Sequence, residues 1–199
     1  MKTRMLLWGL AVAMTVGLAV GCDEDSKPCV TCPGPQPDPV MTAAAQYIDS
    51  HQAELGIRDG LDDVRPYRVV EDELGFFHIR YYQYYREIRV QYGTLILHLT
   101  PQYYVSRVTN SLARGIDANT RPIATCEQAR FVAERHFEEA GYSGRQSEPS
   151  ELVILRRQSG DALCWRLVLE DSRGVEIRQY FVDARSSEIV YWHSLIIVG

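Results

Sequence analysis

The chain switches twice from helical to alternating apolar periodicity, and this repeated order restricts the fold more than any other feature. After Thr42, apolar residues recur at helical spacing up to Gly56, and then at every second position in four short runs. A second helical stretch begins with a capping box at residues 125–128 and ends at Gly141. Four more alternating runs follow it. The pattern therefore predicts one helix and four strands, twice.

Strands that follow a helix in a run, instead of alternating with helices, are typical of antiparallel sheets. We therefore expect an α+β protein of two tandem lobes, each a helix packed on an antiparallel meander sheet. The expected boundaries are residues 41–115 for the first lobe and 116–199 for the second.

The N-terminus predicts export. Lys2 and Arg4 precede an apolar run that ends at Gly21 and Cys22, which is the order found in secretory signals. Residues 18–22, Leu-Ala-Val-Gly-Cys, resemble the lipobox of bacterial lipoproteins. We expect a lipoprotein signal peptide over residues 1–21, lipidation of Cys22, and a place in the cell envelope on the extracytoplasmic face of a membrane. The alternative is an ordinary cleavage site beside a chance cysteine.

Residues 22–40 are rich in proline and charge, which predicts an extended tether after the lipidated cysteine. Cys29 and Cys32 within it have the CxxC spacing of thiol exchange or of half a zinc site. No second ligand pair or βαβ pattern supports either use, so a local disulfide is the preferred interpretation.

Charge excludes one class of partner. Without Lys2 and Arg4, which cleavage would remove, 19 basic residues face 26 acidic ones, a formal charge of −7. Nucleic acid is therefore not expected as a partner.

The residues show no catalytic pattern. The five histidines are scattered singly, no two of them stand at the spacing of a zinc protease helix, and no nucleophile elbow occurs. We therefore expect no catalytic residue, no metal ligand and no cofactor, and hence a protein that is not an enzyme.

Two cysteines fall in the predicted second lobe, Cys126 in the first turn of its helix and Cys164 in a strand. An extracytoplasmic location would permit a disulfide between them. Two free, buried thiols are the other interpretation.

A stripe of tyrosines interleaved with arginine runs along the second predicted strand. Alternation sends half of these side chains into the core and half outward, where aromatic rings beside arginine suit a protein partner or a sugar. The candidate partner-binding residues in this stripe are Tyr82, Tyr84, Tyr85 and Arg86.

Residues 72–80 (Asp-Glu-Leu-Gly-Phe-Phe-His-Ile-Arg) and 93–99 (Gly-Thr-Leu-Ile-Leu-His-Leu) resemble the fungalysin/thermolysin propeptide (FTP) domain that precedes secreted zinc metalloproteases. Residues 164–168 and 180–190 resemble the PepSY domain that accompanies it. The turn at residues 85–90 departs from the family because it carries charges, and Ser187 stands where glycine is usual. The printed chain also has no HExxH helix.

The resemblance implies a non-catalytic, membrane-tethered module that binds a secreted thermolysin-like metalloprotease in trans, as an inhibitor or folding helper. It also implies that the final residues, with His193, Leu195, Ile196 and Ile197, could lie in the protease cleft; an edge strand packed on its own sheet is the alternative. A different function remains open, namely an envelope scaffold that binds a surface protein or glycan.

Overall fold

The computed structural model describes residues 38–196, which belong to one compact unit. The predicted signal peptide, the lipidation site Cys22, the Cys29 and Cys32 pair, and Ile197 lie outside the described residues. Within these residues, no helix is long and apolar enough to cross a membrane.

The helices are α1 (Pro39–Ser50), α2 (Gln52–Leu55) and α3 (Cys126–Glu139). The α1 helix begins three residues before the expected cap at Thr42, because Asp38 accepts a hydrogen bond from the Val40 N–H at 2.9 Å and Pro39 occupies the first turn. The helical stretch ends at Gly56 as predicted, where a φ of 86° suits glycine, but the expectation of a single helix is wrong, because His51 leaves the helical conformation and separates α1 from α2.

The sheet contains every strand that the alternation predicted, together with one short strand that it did not predict, β5. The strands are β1 (Asp62–Glu71), β2 (Phe77–Tyr85), β3 (Ile88–Leu99), β4 (Val105–Asn110), β5 (Gly144–Gln146), β6 (Glu151–Arg157), β7 (Gly160–Asp171), β8 (Ile177–Asp183) and β9 (Ile189–Ser194). All but one of the pairings are antiparallel, so the predicted α+β class is confirmed.

The two meanders form one continuous sheet in the order β1-β2-β3-β6-β7-β8-β9, in which β4 also pairs with β3 and β5 with β7. The connection is a short parallel pairing in which Arg89 lies opposite Val153 and Val90 opposite Ile154. It forms because β3 is twelve residues long and β4 pairs only with its second half, which leaves an edge free for β6.

Both long helices pack on one face of this sheet. In the first half, Ala44 and Ile48 of α1 contact a cluster that includes Ile79, Leu95 and Leu97. In the second half, one cluster combines residues of α3 with those of two strands: Ala129, Ala133, Phe137, Leu167, Leu169, Tyr180 and Val182. A third cluster on the same face, with Val90, Ile154 and Leu163, fills the space at the connection. The opposite side is called the open face below.

The predicted capping box of α3 is confirmed. The Gln128 N–H donates to the Thr125 hydroxyl at 3.2 Å, and the Thr125 N–H donates to the Gln128 side-chain oxygen at 2.8 Å. This exchange fixes the start of the helix and therefore the direction in which its apolar side faces the sheet.

Candidate binding cleft on the open face

A cleft of about 510 Å³ lies on the open face where the two halves of the sheet meet. Five strands, β2, β3, β6, β7 and β8, contribute to its lining, so neither half of the chain builds it alone. The lining residues are Tyr82, Tyr84, Arg89, Gln91, Tyr92, Thr94, Glu151, Arg166 and Gln179.

Ion pairs form the floor of the cleft. The Nε and Nη2 groups of Arg89 each donate to one carboxylate oxygen of Glu151 at 2.6 Å, a two-point geometry that fixes both side chains. The hydrogen bond to Glu151 raises the pKa of Arg89, against the opposing effect of burial. The cleft therefore contains a firmly held guanidinium and not a titrating group.

Arg166 extends this network across the sheet. Its Nη2 group donates to Glu148 at 2.7 Å, and its Nη1 group lies 3.9 Å from Glu151. With the Gln179 amide oriented so that its oxygen faces Arg166, that oxygen accepts from Nη2 at 2.9 Å and from Nε at 2.5 Å. The arginines and the carboxylates balance, so the floor is close to neutral.

Aromatic rings form the wall. Tyr82 stacks on Tyr67 with ring centroids 3.7 Å apart and an angle of 5° between the planes. The guanidinium of Arg65 lies 4.3 Å from the centroid of Tyr84, and that of Arg89 lies 5.1 Å from the centroid of Tyr82. These contacts hold flat, amphipathic surfaces in fixed positions beside the charged floor.

The structure brings together only some of the predicted partner-binding residues. Tyr82 and Tyr84 point into the cleft, whereas Tyr85 points to the opposite face and is buried in the core at 3% exposure. Arg86 lies exposed in the β2–β3 turn, with its guanidinium 5.4 Å from the Tyr85 ring.

The candidates from the end of the chain lie outside the cleft. His193 is on β9, directly opposite Gln179, and its ring is 6.4 Å from that of Phe181. Leu195 and Ile196 follow the strand, and Leu195 is 41% exposed.

The two cysteines of the second half are free thiols, so the disulfide considered for them is not formed. Cys126 opens α3 on one side of the sheet, while Cys164 packs with Val153 and Phe181 on the open face. Because the sheet separates the two side chains, no small adjustment could join them. Burial raises the pKa of Cys164 to about 12.

The expectation that all histidines stand alone is wrong for one pair. The Nδ1 atoms of His78 and His98 lie 2.8 Å apart on neighbouring strands, and the outer nitrogens contact Asp72 at 3.1 Å and Thr109 at 3.2 Å. Burial, with smaller effects of His78 and nearby arginines, lowers the pKa of His98. The four side chains therefore form one hydrogen-bonded chain across β2, β3 and β4. Among the described residues, no group of three side chains suits a metal ion.

A larger cavity of about 680 Å³ lies at the β7–β8 turn. Its central carboxylate, Asp171, is fully occupied in holding the turn, since it accepts from the backbone N–H groups of Ser143 and Arg173 and from the Arg173 guanidinium. These contacts give that cavity a structural explanation, and the cleft at the connection is the stronger candidate.

The charged floor was missed at the level of sequence. Its signal is present, because Arg166 interrupts an otherwise apolar stretch from Leu163 to Leu169. The partner Glu151 is 62 residues from Arg89, and only the parallel pairing of β3 with β6 brings them together.

The comparisons with known proteins concern the first half most directly. Residues 62–112, which contain β1 to β4, match the family model described as Fungalysin/Thermolysin Propeptide Motif. This match associates the region with the propeptides of that protease class. No curated protein sequence matches the chain.

Two solved structures are similar at low identity. The Bacillus megaterium YpeB C-terminal domain aligns at 12% identity and a TM-score of 0.39, over 79% of this chain and 64% of that one. The chain therefore spans slightly under two thirds of that structure. CD1622 from Clostridium difficile 630, whose description as a lipoprotein is provisional, aligns at 11% identity and a TM-score of 0.28, over 77% of this chain and 91% of that one.

Proposed function

We propose that the chain is a non-catalytic, lipid-anchored, propeptide-like protein that binds a secreted thermolysin-like zinc metalloprotease in trans and inhibits it or assists its folding. The observation that carries this proposal is the match of residues 62–112 to the propeptide model. In the proposal, residues 41–115 are the FTP-like lobe and residues 116–199 a PepSY-like lobe, and Cys22 anchors both to a membrane on its extracytoplasmic face.

The chemistry of the cleft supports recognition more than catalysis. Arg89 and Arg166 are both paired with carboxylates, so their charges are already balanced before any partner arrives. Tyrosine and arginine are the side chains most enriched at the centres of protein interfaces, because they bury large areas with few rotatable bonds or several donors. In the proposal, Tyr82 and Tyr84 contact the protease.

An inhibition assay tests this proposal. The fragment of residues 37–199, which forms one compact unit, should inhibit a purified thermolysin-like protease or restore its activity after refolding. Tyr84→Ala should weaken the effect at least about tenfold, the loss expected for an aromatic anchor. The matched control is Tyr104→Ala, because Tyr104 is an exposed tyrosine of the β3–β4 turn, remote from the cleft lining.

If Tyr84→Ala and Tyr104→Ala act with equal potency, the cleft is not part of the interface with the protease. If the fragment has no effect on such proteases, the proposal itself is contradicted. The tail is tested separately with a fragment that lacks residues 195–199. If Leu195 and its neighbours enter the protease cleft, inhibition should fall; unchanged potency would dismiss this role for the tail.

The anchor has its own test. Replacement of Cys22 by serine should leave the precursor without lipid, so that mass spectrometry finds no acylated N-terminus and the protein no longer sediments with membranes. Retention of lipid in Cys22→Ser would show that another residue carries the anchor.

A second candidate function is supported by the Tyr67 and Tyr82 pair. Tyr67 is 43% exposed and parallel to its neighbour, which is the geometry that stacks on a sugar ring. If the chain is an envelope scaffold that binds a surface glycan, the immobilised fragment should retain purified cell-wall glycan, and the Tyr67→Ala variant should not. Absence of retention would count against this function.

A further inference from the structure

The two outermost strands of the sheet differ in chemistry. The β1 strand carries Asp63, Arg65, Pro66 and Arg68, with a bulge between Pro66 and Arg68, and these features discourage another strand from pairing with an edge. The β9 strand and the two residues that follow it, 189–196, contain no Asp, Glu, Lys or Arg, no proline and no glycine; the ionisable side chains in this segment are Tyr191 and His193.

Within residues 38–196, no strand pairs with the backbone groups on the outer edge of β9. The Leu195 N–H donates to the Ile177 carbonyl of the neighbouring strand β8 at 2.7 Å. In an antiparallel strand the backbone N–H and C=O of every second residue point to the same side, so those of His193 also point towards β8. The backbone N–H and C=O groups of Trp192 and Ser194 therefore point away from the sheet. The next outward N–H, of Ile196, is already bound by the Ser194 hydroxyl at 3.2 Å.

Aromatic side chains flank this edge on both faces. Tyr191 is 47% exposed and packs beside Phe181 on the open face, with ring centroids 6.0 Å apart. Trp192 is 38% exposed on the helix face, where the Arg178 guanidinium lies 4.3 Å from its ring centroid. The edge thus offers free donors and acceptors between two partly exposed rings.

We propose that β9 pairs antiparallel with β9 of a second copy of this chain, about a two-fold axis at His193. About this axis, Trp192 of each copy lies opposite Ser194 of the other. The backbone N–H of each residue then meets the backbone carbonyl of its counterpart. A bulge in the β8–β9 pairing, between Phe181 and Val182, confines regular pairing to the last part of β9.

Two properties of the chain favour a second copy as the partner that pairs with β9. Short uncharged segments of β-branched and aromatic residues pair with their own kind, and residues 189–198 have this composition. The chain also carries a formal charge of −5, so most of its surface repels another copy, whereas this edge brings no like charges together. Neither property depends on a protease, and the inference is independent of the proposed function.

The test is sedimentation equilibrium of the 37–199 fragment over a wide range of concentration, with no protease present. The wild type should approach twice the mass of one copy at high concentration. Tyr191→Lys, which puts a charged side chain on the pairing edge opposite Leu195 of the second copy, and Ser194→Pro, which removes an outward donor, should stay at the mass of one copy. Val69→Lys is the matched control, because Val69 is 46% exposed on β1 at the opposite edge, and it should associate like the wild type.

Cross-linking checks the register. On the proposed axis the two copies of residue 193 form a pair without hydrogen bonds, whose Cα atoms lie about 4.5 Å apart, within reach of a disulfide. With Cys126→Ser as background, His193→Cys should give a cross-linked dimer under oxidation, and Val69→Cys should not. Circular dichroism of each variant verifies the fold.

A wild-type fragment that keeps the mass of one copy at every concentration would overturn the proposal. So would a Tyr191→Lys variant that associates as strongly as the wild type, or assemblies that grow beyond two copies.

Discussion

Gly93 is the residue whose replacement should reveal most directly how the sheet is built beside the cleft. A Cβ atom at this position would lie 2.5 Å from the side-chain oxygen of Gln83 and 2.9 Å from its Cβ. Gln83 is only 1% exposed, and its amide exchanges two hydrogen bonds of 2.8 Å with the backbone of Ala113. Glycine is therefore required by the close approach of Gln83.

The expected cost follows from these contacts. To accommodate Gly93→Ala, the Gln83 side chain must move far enough to lose both bonds to Ala113, each with a net value of about 1 to 1.5 kcal/mol. We therefore expect the free energy of unfolding to fall by about 2 to 3 kcal/mol, which for a domain of this size lowers Tm by about 5 to 10 °C. Urea unfolding of the 37–199 fragment measures the first quantity and calorimetry the second.

A double-mutant cycle separates this cause from a general intolerance of the strand. In a Gln83→Gly background both close atoms of residue 83 are gone, so Gly93→Ala should cost less than about 1 kcal/mol, giving a coupling energy of about 2 kcal/mol between the two positions. Additive costs in the double variant would refute the reasoning, because they would show that Gly93 is needed for a reason other than Gln83.

Three further predictions concern single groups. In the native fragment a thiol reagent should modify Cys126 and leave Cys164 intact until the protein unfolds, because burial raises the pKa of Cys164 to about 12. Labelling of Cys164 in the folded protein, detected by mass spectrometry, would contradict this prediction. Thr125→Ala should lower the free energy of unfolding by about 1 kcal/mol through loss of the capping box, and urea unfolding that shows no loss would contradict the capping argument. The hydrogen bond from Arg173 lowers the pKa of Asp171, so the stability that Asp171 contributes is present above its unfolded pKa and is lost as the pH falls through the folded one. The stability difference between wild type and Asp171→Asn should therefore be constant near neutrality and shrink in acid; a difference that does not change with pH would contradict the assignment.

The parts of the fold that depend on local chemistry were predictable from sequence. The capping box at Thr125 and the stop at Gly56 use neighbouring residues, and the structure has both as expected. Alternation likewise located the long strands, because a sheet with helices on one face requires a period of two. The start of α1 was missed, since Asp38 and Pro39 together make a better cap than Thr42.

Features that depend on pairing between distant strands were not predictable. Nothing in the sequence of β3 indicates that residues 89–90 pair with β6, and the histidines at 78 and 98 are neighbours only because β2 and β3 align them. The same holds for the thiols. Cys126 and Cys164 were considered as partners from their elements alone, but the face on which each side chain lies depends on strand register, and the register separates them.

The cleft and the connection between the two meanders are held by the same residues, and this determines which substitutions can report on function. The parallel pairing spans only Arg89 and Val90 on β3, which is too short to hold two sheets together by backbone hydrogen bonds alone. The ion pair of Arg89 with Glu151 and the apolar cluster around Val90 must supply the rest. Replacing Arg89 would therefore loosen the connection and change the cleft together. Tyr84 lies opposite Arg89 on β2 but takes part neither in the β3–β6 pairing nor in the ion pair. Its replacement can therefore weaken the binding of a partner while the connection remains intact.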